Sequence, residues 1–362
     1  MGKEVVNQYQ PSISEWFALI SENKEAEAFR IEDNQKVDRL EYLYQKIGLP
    51  YERPNKLEAT ELTQPSVRFK KILKERGDEL CAIRLVPKKE GLPKIRNRGL
   101  SIKECYENWY LKQDINPADY FAFICPHILR TPWSMIFIVK PKIIFGEIIE
   151  GLHCQLTQGT TEGKLLDFQF NYKNWTWSEE KPEAIKILKS TLDLIKTDSL
   201  KIQKEITEKL DIEFSHNILC GYFEAVVWPD GRIHYIDYNR LIPSFISDPA
   251  KISHSEGKLT GSIAYPGKAT GKVKIAEDNN IGQIDFKDGD ILVCKNTNVR
   301  YLPLMKKAGA IVTDKGSILS HAAIVARELK IPCLVDTKKA TQILKDNQIV
   351  SVDCDAGVIK IN

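Results

Sequence analysis

Thr313-Asp314-Lys315-Gly316-Ser317-Ile318-Leu319-Ser320-His321-Ala322-Ala323-Ile324-Val325-Ala326-Arg327-Glu328 changes character along its length, from the end of a strand to a helix. Ahead of it, Ala308-Gly309-Ala310-Ile311-Val312 is a short apolar run that reads as a buried strand with small side chains at its start. A polar turn around Gly316 follows. Ser320 then stands where a helix begins, and residues 322–329 are mostly good helix formers. His321 falls in the first helical turn, beside backbone N–H groups that have no helical partner. Such a terminus attracts anions and can hold a phosphate. The positive end of the helix dipole disfavours imidazolium, so a histidine there stays neutral and nucleophilic near neutral pH. The hydroxyls of Thr313, Ser317 and Ser320 are candidates to receive phosphoryl oxygens once the ring is phosphorylated. The plain alternative is a histidine that only caps and packs.

The pattern Thr-x-x-Gly-x-x-x-Ser-His-x-Ala-Ile-x-Ala-Arg-Glu-x-x-Ile-Pro, over residues 313–332, closely resembles the phosphohistidine signature of the phosphoenolpyruvate-utilising enzymes. That family includes phosphoenolpyruvate synthase, pyruvate phosphate dikinase, glucan dikinases and rifampicin phosphotransferase. The resemblance implies that His321 carries a phosphoryl group on a swivelling domain, with Thr313 and Ser320 beside it in the catalytic set. The family usually has two glycines where this chain has Gly316-Ser317.

Composition sets the outer bounds. A chain of 362 residues has room for two or three domains. Hydrophobic residues are 43% and charged residues 28%, as in ordinary globular proteins. The balance of 52 basic and 49 acidic residues, net +3, argues against nucleic acid or an anionic membrane as partner. No leader, myristoylation site or membrane span is expected. The eight cysteines are scattered singly, and Cys81, Cys294 and Cys333 sit in apolar runs, which suits reduced core thiols in a cytoplasmic protein.

Residues 1–69 read as a helical segment or lid without chemistry of its own. Ser12-Ile13-Ser14-Glu15-Trp16-Phe17 carries helix-start signals. Val37, Leu40, Tyr44 and Ile47 recur at helical spacing until Gly48 and Pro50 stop the helix, and the charge-rich run from Glu22 to Asp33 reads as a solvated face. From Leu80 the pattern turns strand-like. A loop rich in Lys and Arg follows and closes on Gly99, a composition suited to a polyphosphate. The stretch from Ala82-Ile83-Arg84 to Gly99 is similar to the start of the nucleotide-binding core of phosphoenolpyruvate synthase, which implies that Arg84 contacts ATP phosphates. Leu85 and Val86 replace the family's serines. Two apolar strands near residues 120–124 and 134–139 precede Ile143-Ile144-Phe145-Gly146-Glu147-Ile148-Ile149-Glu150-Gly151. Strands of this type in ATP-grasp enzymes recognise adenine and ribose, so Glu147 and Glu150 are candidates; surface acids on a strand are the alternative. A single long helix is expected over about 182–210, with Ile185, Leu188, Leu192 and Ile195 as its buried stripe.

Residues 221–240 read as a hairpin turning at Asp230-Gly231. Pairing across that turn brings Glu224 near Asp237, with Asn239 on the same face. Converging oxygen side chains of this kind hold Mg²⁺ while it bridges ATP phosphates. An acid, a hairpin, then acid-x-Asn before an arginine resembles the metal end of ATP-grasp domains, which implies Glu224, Asp237 and Asn239 as Mg²⁺ ligands and Arg240 as a phosphate contact. The polar stretch 244–260 reads as a linker where a carrier needs a hinge. Residues 261–362 then open a compact β/β/α unit.

The expected architecture is therefore mixed α/β and α+β. An ATP-grasp-like nucleotide-binding domain over 70–243 is followed by a linker and a phosphohistidine swivelling domain over 261–362. The expected function is Mg²⁺- and ATP-dependent phosphotransfer through His321 to a small-molecule or protein acceptor. The chain ends at Asn362 with no stretch read as the phosphoenolpyruvate/pyruvate barrel of the full-length dikinases, so the acceptor is expected in a cleft formed with residues 1–70 or on another chain. A ligase that activates a carboxylate through phosphohistidine, and a non-catalytic carrier or nucleotide-binding relative, are the competing readings.

Overall fold

The computed structural model of the chain describes residues 24–89, 91–157, 164–246, 248 and 259–362, and of residues 24–26, 245, 321 and 322 the backbone alone. The expected helix start at residues 12–17, the first part of the charged run from Glu22, and residues 247 and 249–258 of the expected linker lie outside the described residues. Helix α1 (Lys24–Asn34) leads into α2 (Lys36–Ile47). The second forms where the apolar spacing placed it. Leu40 and Leu43 are buried, and Gly48 ends the helix in the left-handed region at φ 71°, its N–H on the Tyr44 carbonyl.

A four-stranded antiparallel sheet comes next. It is built from β1 (Asn55–Glu58), β2 (Leu80–Pro87), β3 (Ile95–Ser101) and β4 (Tyr120–Pro126) in the order β1-β4-β2-β3. Helices α3 (Val67–Arg76) and α4 (Ile102–Asn108) cover one face through Phe69, Ile72 and Cys105 against Leu57, Ile83 and Leu85. α4 starts at a reciprocal cap between Ser101 and Glu104. The other face presents Ala82, Val86, Phe123 and Cys125, with Val37 of α2 packed against them. Residue 69 is therefore not a boundary in the fold. β1 pairs along β4 from Asn55 to Glu58, and α2 belongs to the core of the next sheet, so the segment is built into both sheets.

The second sheet holds the largest core. Its strands are β5 (Trp133–Val139), β6 (Ile144–Glu150), β7 (Leu165–Phe170) and β8 (Trp175–Trp177). Helices α5 (Pro182–Asp193) and α6 (Leu200–Leu210) and the short pair β9 (Phe214–Ser215) and β10 (Ile218–Leu219) precede the last two strands, β11 (Gly221–Val227) and β12 (Ile233–Asn239). The order is β12-β11-β5-β6-β7-β8. Alternate residues point to opposite faces. Met135, Phe137, Ile148, Phe223 and Ala225 pack against α2, α5 and α6 through Leu40, Leu188, Leu192 and Ile206. The expected single helix over 182–210 is two. Lys196 pairs with Ile218 as a β-bridge, and the Ser199 hydroxyl caps the second helix by accepting from Ile202 N–H. Thr, Asp and Ser in succession offer the backbone local hydrogen bonds that compete with helix.

Phe223 lies at the centre of this core. Its ring stacks on Phe137 at 5.2 Å and on Tyr238 at 4.9 Å, with Tyr235 edge-on at 5.8 Å. Gly221 opens the strand at φ 144°, where an added Cβ would lie 2.4 Å from the Tyr238 ring.

The opposite face of the same sheet carries Ile136, Ile138, Phe145, Ile149 and Tyr222. It is covered by Phe29 of α1, by Ile242 and Ile246, and by Leu319 and Ile324 of the C-terminal unit. Glu147 of β6 is buried at that contact. Its carboxylate accepts the Ile318 N–H at 2.8 Å and the Ser317 hydroxyl. Burial and the facing Asp167 carboxylate push the Glu147 pKa well above the usual carboxylate range. Asp336 adds to this, while the Ile318 N–H and Arg327 oppose it. Asp167 is raised to about 6 by burial and Asp336, against Lys338.

The C-terminal unit comprises β13 (Leu259–Thr260), β14 (Ser262–Tyr265), β15 (Lys268–Ala276), β16 (Ile291–Cys294), β17 (Ala310–Thr313), α7 (His321–Glu328), β18 (Cys333–Val335), β19 (Ile349–Asp353) and β20 (Val358–Ile361). Its strand order is β13-β20-β19-β15-β16-β17-β18-β14. β15 serves two sheet halves: its first residues run antiparallel to β19 and its last run parallel to β16. All eight cysteines are free. Among the described residues no helix is long and apolar enough to cross a membrane.

Phe223→Ala should destabilise the chain by about 3–5 kcal/mol, the cost of an unfilled aromatic site, read by denaturant unfolding. The pH dependence has a definite sign. Glu147 and Asp167 bind protons more tightly when folded than when unfolded. Their stabilisation is present below about pH 4 and is lost as pH rises through their raised folded-state values, about 6 for Asp167. Thermal unfolding across that range should show a shallower fall for Glu147→Gln than for the parent; parallel curves would refute the assignment.

Candidate functional site

The hairpin turns where the sequence placed it. Gly231, at φ 83°, donates its N–H to the Trp228 carbonyl, and Trp228 N–H closes the turn on Arg232. The register pairs Glu224 with Asp237 and Tyr222 with Asn239, so the two carboxylates oppose each other on one face. Tyr222 donates its hydroxyl to Glu224 Oε1 at 2.6 Å. His153 Nε2 lies 3.0 Å from Glu224 Oε2, an ion-pair contact without hydrogen-bond alignment. Burial pushes the Glu224 pKa up, but His153, Lys36 and the Tyr222 hydroxyl outweigh it and hold the group at about 2. Asp237 is raised, by burial first and by Glu224, with Lys36 opposing.

Lys36 was not legible as a site residue. Its Nζ sits 3.2 Å from Asp237 Oδ2, across 201 residues of chain. The local signal was a cation in the first turn of a helix, where the dipole disfavours it and a carboxylate partner is needed. His153 and Tyr222, both against Glu224, gave no signal in their own neighbourhoods.

Glu224 and Asp237 are paired hard-oxygen donors, the set Mg²⁺ takes when phosphates and water complete its shell. The register sets the two carboxylates opposite each other on one face, so the donor set fits a divalent cation. Asn239 does not join them. Its Oδ1 accepts the N–H groups of Leu241 and Ile242 and holds the turn that leaves the sheet. Among the described residues no three His, Cys, Asp or Glu side chains are grouped to hold a metal.

The expected phosphate and nucleotide residues separate. Arg84, beside Cys125, faces the charges of Glu52, Asp33 and Asp237, so it belongs to the same cleft as Lys36. Arg240 does not: it binds Glu32 of α1 at 2.6 Å, and its backbone N–H also goes to Glu32. Glu32 is 1% exposed and takes Arg39 as well, at 3.3 Å, so Arg240 ties α1 to the sheet. Glu147 and Glu150 lie three residues apart on a strand and face opposite ways. Glu147 is buried against the C-terminal unit, and Glu150 is exposed and paired with Lys181. They do not line one pocket.

On the C-terminal unit, Ser320 caps α7 by accepting from Ala323 N–H, and His321 is the first helical residue, as expected. The His321 side chain lies outside the described atoms. Thr313 ends β17 with its hydroxyl buried and without a hydrogen-bond partner. Gly316, at φ 143°, would bring a Cβ to 3.3 Å from that hydroxyl, so the turn leaves Thr313 open on that side. An unpaired buried hydroxyl is a donor ready for an incoming oxygen.

The two halves of the site share one surface. Registered pairs set Asp237, Glu224, Ile136, Glu147 and Asp167 in a single row across β12, β11, β5, β6 and β7. Glu147, which holds the loop before His321, is two strand spacings from Glu224, on the order of 10 Å. Tyr222 touches both regions: it bonds Glu224 and packs in the same cluster as Leu319 and Ile324.

Residues 286–357 match the family model "PEP-utilising enzyme, mobile domain". The chain is 33% identical over 181 residues to phosphoenolpyruvate synthase of Aeropyrum pernix, covering 49% of this chain and 22% of that one. It is 43% identical over 149 residues to phosphoenolpyruvate synthase of Pyrococcus furiosus, covering 38% and 18%. It is 46% identical over 109 residues to the uncharacterized phosphotransferase YvkC of Bacillus subtilis, covering 30% and 13%. The chain thus spans less than a third of the length of these relatives. The match over residues 286–357 and these relatives together support the phosphoenolpyruvate-utilising enzyme family, with the similarity to its mobile domain lying in the C-terminal unit.

Proposed function

We propose that this chain is an ATP-dependent, dikinase-type phosphotransferase that moves a phosphoryl group from ATP to His321 and on to a small-molecule or protein acceptor. The observation that carries the reading is the shared sheet face. The loop before His321 is seated on the same row of residues that presents Glu224 and Asp237. On this reading the nucleotide lies ATP-grasp-like between the two sheets, with Lys36 and Arg84 against its phosphates. Mg²⁺ held by Glu224 and Asp237 would draw off phosphate charge in a loose transition state. The neutral His321 nitrogen forms its bond to phosphorus as the bond from that phosphorus to the bridging oxygen breaks. For transfer from the β position AMP leaves with the electron pair on that oxygen and the γ-phosphoryl passes to water as phosphate; for transfer from the γ position ADP leaves with that electron pair. The Thr313 hydroxyl and the start of α7 receive the phosphoryl oxygens. The partners are then ATP and the acceptor, in a cytoplasmic setting, without nucleic acid or membrane.

A non-catalytic carrier is the second reading. Asn239 and Arg240, two of the expected ligands, are engaged within the protein itself.

Incubation with Mg²⁺ and β- or γ-labelled ATP separates the two. An acid-labile adduct on intact mass, absent in His321→Ala, is expected. The label position tells dikinase from kinase, and no adduct from either label favours the carrier. Lys36→Ala should weaken ATP binding about tenfold or more in calorimetry, since a phosphate loses its cation. Arg240→Ala should leave ATP binding nearly unchanged and instead lower stability by roughly 2–3 kcal/mol, because buried Glu32 loses a partner.

A further inference from the structure

The contact between the sheet and the C-terminal unit is built around one peptide group. The Ile318 N–H goes to Glu147 Oε1 at 2.8 Å, and the Ile318 carbonyl accepts from Arg327 of α7 at 2.6 Å. Ser317 donates its hydroxyl to Glu147 and accepts the Leu319 N–H on the same oxygen at 3.0 Å. Its carbonyl accepts the Ser320 N–H at 3.1 Å. The side chain that starts the turn into α7 is thus the one that reaches across to the sheet. Ser317 and Leu319 are 0% exposed, Glu147 1% and Ser320 2%, so no water replaces these bonds while the contact is closed. A glycine or alanine at position 317 offers no hydroxyl to Glu147.

We propose that Ser317 and Glu147 are a positioning pair: together they seat the loop before His321 on the β5–β6–β7 face, and the C-terminal unit leaves that face only when both Glu147 bonds break. The seating follows from the geometry alone. Its consequence for catalysis rests on the phosphotransfer reading above. If the pair acts as stated, it sets how fast His321 meets the nucleotide and does not set how tightly the nucleotide binds.

The test is a double-mutant cycle on the full chain with Ser317→Ala, Glu147→Ala and the double variant. Hydrogen exchange of residues 317–324 is the readout, and residues 349–353 of β19 report that the C-terminal unit stays folded. Each single variant should speed exchange of 317–324 about tenfold, and the double variant should go little beyond the faster single, because Glu147→Ala already removes the bond that Ser317→Ala removes. Additive singles, or unchanged protection in both, would overturn the pairing. The second readout is adduct formation at saturating labelled ATP. Ser317→Ala should slow it about tenfold with ATP affinity unaltered, and an unaltered rate would overturn the positioning role. If the parent chain forms no adduct at all, the phosphotransfer reading fails while the exchange cycle still decides the seating.

Discussion

One sheet face constrains everything else in this protein. Across it run Asp237, Glu224, Ile136, Glu147 and Asp167, four carboxyl groups in one registered row, and most of the row is covered. Buried carboxylates need a proton, a cation or N–H donors. The chain supplies all three in different places. Lys36 comes from α2 to Asp237, and His153 and Tyr222 come to Glu224. The Ile318 N–H and Ser317 hydroxyl come from the C-terminal unit to Glu147, whose pKa is raised by burial and Asp167. The two units are held together by the same requirement that shapes the candidate site.

This arrangement explains why the segment before residue 70 cannot be set aside as a lid. α1 and α2 bring Glu32, Lys36 and Arg39 to the edge of the hairpin, and each meets a group from β12 or the residue after it. Arg39 donates to the Tyr238 carbonyl at 2.9 Å, Lys36 pairs with Asp237, and Glu32 takes Arg240. An acidic hairpin with a nearby arginine therefore has two possible uses for its charges, ligand binding and internal cross-linking. Asp237 and Glu224 remain available for the first. Asn239 and Arg240 are held in the second.

The C-terminal unit repeats the division. Its residues 286–357 match the mobile domain of phosphoenolpyruvate-utilising enzymes, and its loop uses Ser317 to bond the sheet. Thr313 keeps an unpaired hydroxyl near the turn, whereas Ser320 is committed to the helix cap.

Much of this was written locally in the chain. The strand ending at Thr313, the cap at Ser320, the helix opening at His321 and the Asp230-Gly231 turn follow from short-range rules, because turns, caps and periodicity depend on neighbours within a few residues. The Glu224–Asp237 pairing followed from that turn. The break between α5 and α6 was also local, in Thr197-Asp198-Ser199, but helical spacing on both sides masked it. What the sequence could not determine were the partners of charged side chains far apart in the chain. Lys36 reaches Asp237 across 201 residues and Ser317 reaches Glu147 across 170. Only the packing of α2 and of the C-terminal unit against the sheet brings them within hydrogen-bond range, and the charges and donors gathered there, not residue type, decide which buried carboxylate takes a cation and which takes a proton.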